Sequence, residues 1–196
     1  MNFIDGKLMG TFGGNATRAF NQGIRETICD MRAKTYNLAF KGELLNRGFW
    51  LYVWEIATPK GTKLYYVGRT GDNSSVNAQS PFNRMGQHLG FAETSNMLRR
   101  HLESHLIEAE QCSFHLVAHG PILGEVKDAK GHRTRRDFIA ALEGALEKAM
   151  REVGYDVMNT VKCRVEVDMK AFVGVRAAFA GHFRKLSTKR GKPTVC

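Results

Sequence analysis

The chain has 196 residues, 43% of them hydrophobic, with 29 Lys and Arg against 19 Asp and Glu and a formal net charge of +10. That length and apolar content exclude wholesale disorder and suffice for one domain with its own core. The positive excess makes a polyanion the natural partner on electrostatic grounds, without choosing between nucleic acid and another anionic surface.

No apolar run approaches the roughly 18 residues of a membrane span. The opening residues, MNFIDGKLMG, lack the basic-then-apolar order of a secretion signal, so the expected location is cytoplasmic. Cys29, Cys112, Cys163 and Cys196 form no CxxC pair, which argues against a zinc ribbon or a thioredoxin-like site.

Gly6, Gly10, Gly13 and Gly14 lack the GxxxxGK[ST] order of a phosphate-cradling loop, and a lead-in segment is expected instead. Asn15 or Thr17 is then placed to cap a helix with Phe20, Ile24, Ile28 and Met31 at three- and four-residue steps. From Phe49 the pattern changes to alternation. Trp50, Tyr52, Trp54 and Ile56 fall on one face of a strand, and Leu51, Val53 and Glu55 on the other. Thr58-Pro59-Lys60-Gly61-Thr62 reads as a turn, after which Leu64, Tyr66 and Gly68 alternate with Tyr65 and Val67 in a returning antiparallel strand.

A polar loop follows, and Ser80-Pro81 fits the cap and first position of a short helix carrying Arg84 and His88. Further helices are expected over 95–108 and over 137–153, the latter with a stripe of Phe138, Leu142, Leu146, Ala149 and Val153. Between them, residues 111–118 read as a third strand and 119–134 as a charged, glycine-bearing loop containing HRTRR. Residues 161–167 suggest a short strand, and 170–186 an apolar-basic helix before the tail STKRGKPTVC. His101 and His105 in HLESH are one helical turn apart, but the intervening Glu103 does not match HExxH, and no cysteine cluster supports a zinc site.

Trp50-Leu51-Tyr52 and Tyr66-Val67-Gly68, followed by Arg69, an Arg84 and His88 pair, a helical Glu143 and then Asn159, share an order. In that order the chain resembles the GIY-YIG endonuclease family over about residues 49–162. It departs from the pattern in having Trp50 in place of the first glycine and a longer segment between Gly68 and Arg84. The resemblance implies an α/β (α+β) fold with a small, mainly antiparallel three-stranded sheet flanked by helices. Residues 1–48 would be a helical extension and 163–196 a basic one.

The implied activity is metal-dependent hydrolysis of DNA phosphodiester bonds. Tyr52 would be general base and Tyr66 would orient water or phosphate. Arg84 would stabilise charge with His88 beside it, and Glu143 would hold Mg²⁺ or Mn²⁺, with Glu147 one turn on as the alternative ligand. The chemistry is consistent, because hydrolysis of an anionic phosphodiester builds further negative charge and needs a cation, a guanidinium fork and a proton acceptor. Since a free phenol titrates near 10, such a base requires help from a metal or from cationic neighbours.

Gly68, Arg69 and Asn159 are the expected substrate contacts near the scissile phosphate, and Arg133, Arg135 and Arg136 those along the backbone. Double-stranded DNA is the expected partner, and a homodimer is compatible with the resemblance. A non-cleaving nucleic-acid-binding protein on the same fold and an RNA-directed nuclease are the alternatives. Cleavage specificity is not encoded in any motif of the chain.

Overall fold

The computed structural model describes residues 34–72 and 76–187. The expected helix over Phe20 to Met31, and most of the basic tail, lie outside the described residues. Residues 34–39 are exposed and irregular, whereas the described residues from Phe40 onward form one compact unit.

Aromatic and β-branched residues build strand β1 (Phe49–Ala57), which pairs antiparallel with β2 (Lys63–Arg69) on one side and with β3 (Ser113–Leu123) on the other. The hairpin turn closes through Thr58 N–H to Thr62 O at 2.9 Å, with Gly61 in the left-handed region at φ +78°. Register places Tyr52 opposite Gly68 and Trp54 opposite Tyr66. The central strand is thus covered on both faces. Tyr52, Trp54, Ile56, Leu64 and Tyr66 pack with Leu98 and Leu102, while Leu51, Val53, Tyr65 and Val67 pack with Ile139, Leu142, Leu146 and Phe179. Each such large apolar side chain contributes about 1.5–3 kcal/mol on burial.

The first face is covered by α1 (Pro81–Leu89) and α2 (Met97–Ser104), and the second by α3 (Ala129–Glu152) and α4 (Met169–Ala180). Ser80 caps α1 by accepting from Asn83 N–H at 3.2 Å, with Pro81 in the first turn. Asp168 caps α4 through Lys170 and Ala171 N–H. The result is a mixed α/β fold with a small three-stranded antiparallel sheet. Among the described residues, no helix is long and apolar enough to cross a membrane.

Several boundaries differ from the sequence reading. β3 runs on through Gly120-Pro121 to Leu123, where a loop was expected; as an outer strand it tolerates a proline that a central strand would not. The loop expected up to Thr134 is instead the first turns of α3, because Asp128 accepts from Gly131 N–H at 2.7 Å and starts the helix before the HRTRR run. The 95–108 helix shortens to Met97–Ser104, and Leu106 just beyond it has φ 58°. Residues 161–167 form no strand, and their apolar side chains line a groove on α3 beside Ala141 and Gly144. The 170–186 helix stops at Ala180, before a 3-10 turn over Arg184–Ser187. Phe172, Val175 and Phe179 of the expected extension pack into the same core as α3.

Candidate active site

Strand register creates the centre of the site. Because Gly68 stands opposite Tyr52, the phenol ring can lie flat across the glycine; a Cβ at 68 would come within 2.7 Å of Tyr52 Cζ and 2.8 Å of its hydroxyl. The space left by Gly68 is therefore filled by Tyr52 itself, which corrects the expectation of a substrate contact there. The Tyr52 hydroxyl is 3.1 Å from the Arg69 carbonyl and 2.6 Å from His88 Nε2. His88 projects from α1 and is fully buried, its imidazole wedged edge-on between the rings of Tyr52 and Tyr66 at 5.6 and 5.2 Å.

One turn earlier on α1, Arg84 donates through Nη2 to Asp72 Oδ2 at 2.8 Å and through Nη1 to Gln87 Oε1 at 3.0 Å. Arg69, at the end of β2, donates through Nε to Glu143 Oε2 at 3.0 Å, so α3 delivers the carboxylate to the same end of the hairpin. Glu147 is engaged elsewhere, in an ion pair with Arg151. Arg151 in turn donates to the Asn159 carbonyl at 2.9 Å. Geometry thus separates the two candidate glutamates, with Glu143 at the tyrosines and arginines and Glu147 on the Arg151 side.

Asn159 does not face the site with a free amide. It accepts from Val67 N–H at 3.0 Å and donates to Val67 O at 2.7 Å, imitating a strand partner along the outer edge of β2. One donor and one acceptor position of its amide are thus spent on Val67, so the side chain holds the sheet edge. Arg133, Arg135 and Arg136 sit on the first turns of α3, with Arg135 reaching the Gly124 carbonyl and Arg136 paired with Asp137. His105 Nδ1 lies 2.8 Å from the His101 carbonyl, and no group of three His, Cys, Asp or Glu among the described residues could hold a metal ion.

Burial dominates the electrostatics. It raises the Tyr52 phenol well above its ordinary value against the opposing pull of Arg84. Burial and then Glu143 raise Tyr66 similarly. Burial, with the nearby charge of Arg84, depresses His88 to about 3, so its ring is neutral. Burial outweighs Arg69 and lifts Glu143 to about 7, with Asp72 adding to the rise and Arg84 opposing it. For Arg84 the burial cost is outweighed by Tyr52 and Asp72, which hold its pKa above the ordinary value.

No family model, curated protein or solved structure matches this chain. The site therefore rests on its own geometry: Tyr52, Tyr66, Arg69, Arg84, His88 and Glu143 lie together at one end of the hairpin. Three nitrogens in that group, Arg69 Nη1, Arg84 Nε and His88 Nδ1, are buried with no hydrogen-bond partner. Sequence reasoning missed Asp72, Gln87 and Thr70. Gln87 was visible as the i+3 neighbour of Arg84 on a helix. Asp72 carried no local signal, and Thr70 is fixed by long-range bonds to Trp50 and Gly48.

Proposed function

We propose that this chain is a metal-dependent nuclease of the GIY-YIG kind that hydrolyses DNA phosphodiester bonds. The observation that carries the reading is the grouping of Arg69, Arg84, His88 and Glu143 with Tyr52 and Tyr66, in which Arg69 Nη1 and Arg84 Nε are buried without a hydrogen-bond partner. Buried donors are nearly always satisfied, and two guanidinium groups that both act on Tyr66 and Glu143 suit an anionic acceptor such as a phosphodiester.

Each side chain has a task in that chemistry. Arg84 and Arg69 bind the non-bridging oxygens. Tyr52 would accept the proton of the attacking water once its phenol is ionised with help from the metal and Arg84, and His88 Nε2, 2.6 Å away, would orient its hydroxyl. Glu143 fits a hard divalent ion such as Mg²⁺ or Mn²⁺, because such ions keep several waters and need only one or two protein carboxylates. A soft tetrahedral site does not fit this donor set. When bound, the ion supplies positive charge against the charge that develops at phosphorus.

Arg136 stands two helical turns before Glu143 on α3, roughly 10 Å along the same stripe, where it would meet the flanking backbone. Double-stranded DNA inside the cytoplasm is the substrate we assign. The test is supercoiled plasmid incubated with the protein and Mg²⁺ or Mn²⁺. Nicked or linear product is expected, and Glu143→Ala should lose more than about a hundredfold in rate with DNA binding kept. Plasmid left intact across DNA forms would favour binding without cleavage, and wild-type rates in Glu143→Ala would remove the metal assignment.

A further inference from the structure

Asp72 stands outside the family pattern that the motifs follow, yet its position is built as carefully as theirs. Thr70 is locked to the start of β1: its N–H donates to Trp50 O at 3.1 Å, and its hydroxyl joins Trp50 N–H and the Gly48 carbonyl. Gly71 follows at φ +76°, with the Phe49 ring lying where a Cβ would be. A side chain there would be both strained and obstructed. The chain is therefore turned at a fixed point, and the next residue, Asp72, is delivered opposite α1.

There its carboxylate takes Arg84 Nη2 at 2.8 Å while Gln87 takes Nη1 at 3.0 Å. Both ends of the fork are held, and the nitrogen left over, Nε, is buried with no hydrogen bond of good geometry, in a guanidinium close enough to Tyr52 to oppose the rise of its phenol. The Asp72 side chain is 37% exposed and that of Arg84 only 14%, so the contact forms a rim to the site and is not part of the core.

We propose that Asp72 is a positioning residue for the reaction, fixing the guanidinium of Arg84 so that its Nε faces the scissile phosphate. The proposal deepens the nuclease reading and rests on it. Without Asp72, a long arginine side chain regains rotamer freedom, and its fork loses the orientation on which a near-attack geometry depends.

The test compares wild type, Asp72→Ala and Asp72→Asn by steady-state cleavage of a duplex with Mg²⁺, by DNA affinity with Ca²⁺ in place of Mg²⁺, and by the NMR signal of Arg84 Nε–H. Asp72→Ala should lower kcat about 10- to 100-fold, leave KM and affinity within about threefold, and broaden the Arg84 signal. Asp72→Asn keeps an oxygen for Nη2 and should recover much of the lost kcat. An unchanged kcat, a loss confined to KM, or an Arg84 signal indifferent to Asp72→Ala would overturn the proposal. Wild-type protein that cuts no DNA, but whose Arg84 signal still responds to Asp72→Ala, would sink the nuclease reading and leave the positioning of Arg84 standing.

Discussion

Gly68 and Tyr52 behave as one unit, since the phenol ring occupies the volume of the missing side chain. Gly68→Ala should force the ring off His88, cost about 1–3 kcal/mol in stability as overpacking does, and reduce cleavage more than DNA binding. Chemical denaturation alongside kcat and affinity would check this, and a variant with native kcat would refute the coupling. Two buried titratable groups in the site should pull stability in opposite directions with pH. Glu143, raised to about 7, binds its proton more tightly folded than unfolded, where glutamate titrates near 4.3. Its contribution is complete below that value and is lost as pH rises through 7. His88, lowered to about 3, contributes fully above about 6.5 and loses that contribution as pH falls toward 3. Between about 4.5 and 6.5 the two slopes oppose, each at most about 1.4 kcal/mol per pH unit. In metal-free buffer, stability of Glu143→Gln should therefore climb from pH 4 to 7, and that of His88→Asn should fall from pH 5 to 7. Urea midpoints across that range measure both, and two variants with the wild-type profile would show that neither group titrates as the site requires. The grouping of Tyr52, Arg84, His88 and Glu143 was legible in the sequence from residue type and order, and the structure brings the four together. The contact between Tyr52 and His88 spans 36 positions and that between Arg84 and Asp72 spans 12; no local pattern encodes such pairs.

Among the elements, the hairpin was the most legible, because alternation and a Pro-Lys-Gly turn specify both strands and their faces. The helix bearing Arg84 was legible from Ser80-Pro81. The start of α3 was hidden by its own charge: HRTRR looks like a solvated loop until Asp128 is recognised as the cap. Residues 161–167 misled in the other direction, since Val161, Cys163, Val165 and Val167 alternate without pairing and their side chains serve the groove on α3. Asn159 shows how an irregular segment can still hold the sheet. Its amide satisfies both backbone groups of Val67, so Asn159→Ala should cost about 2–4 kcal/mol, the combined effect of two lost bonds and two buried groups left open. Affinity for DNA should be unaffected. A shift in affinity without loss of stability would return Asn159 to the substrate.

For the molecule as a whole, the net charge of +10 makes association with a polyanion strongly dependent on salt. Arg136 tests whether α3 follows the backbone. Arg136→Ala should weaken binding similarly across sequences and lower the slope of log K against log salt by about 1. A sequence-selective loss would place that residue at a base instead. The outer side of β2 has its own consequence for assembly. Tyr65 N–H is taken by Asp156 O at 2.8 Å, Tyr65 O by Met158 N–H at 2.8 Å, and Val67 by Asn159. The middle of that margin is thus already occupied, which blocks a continuous ladder with another polypeptide. Two copies merging their sheets into one would have to meet along β3, the opposite outer strand, which keeps the seam one strand away from β1 and its Tyr52.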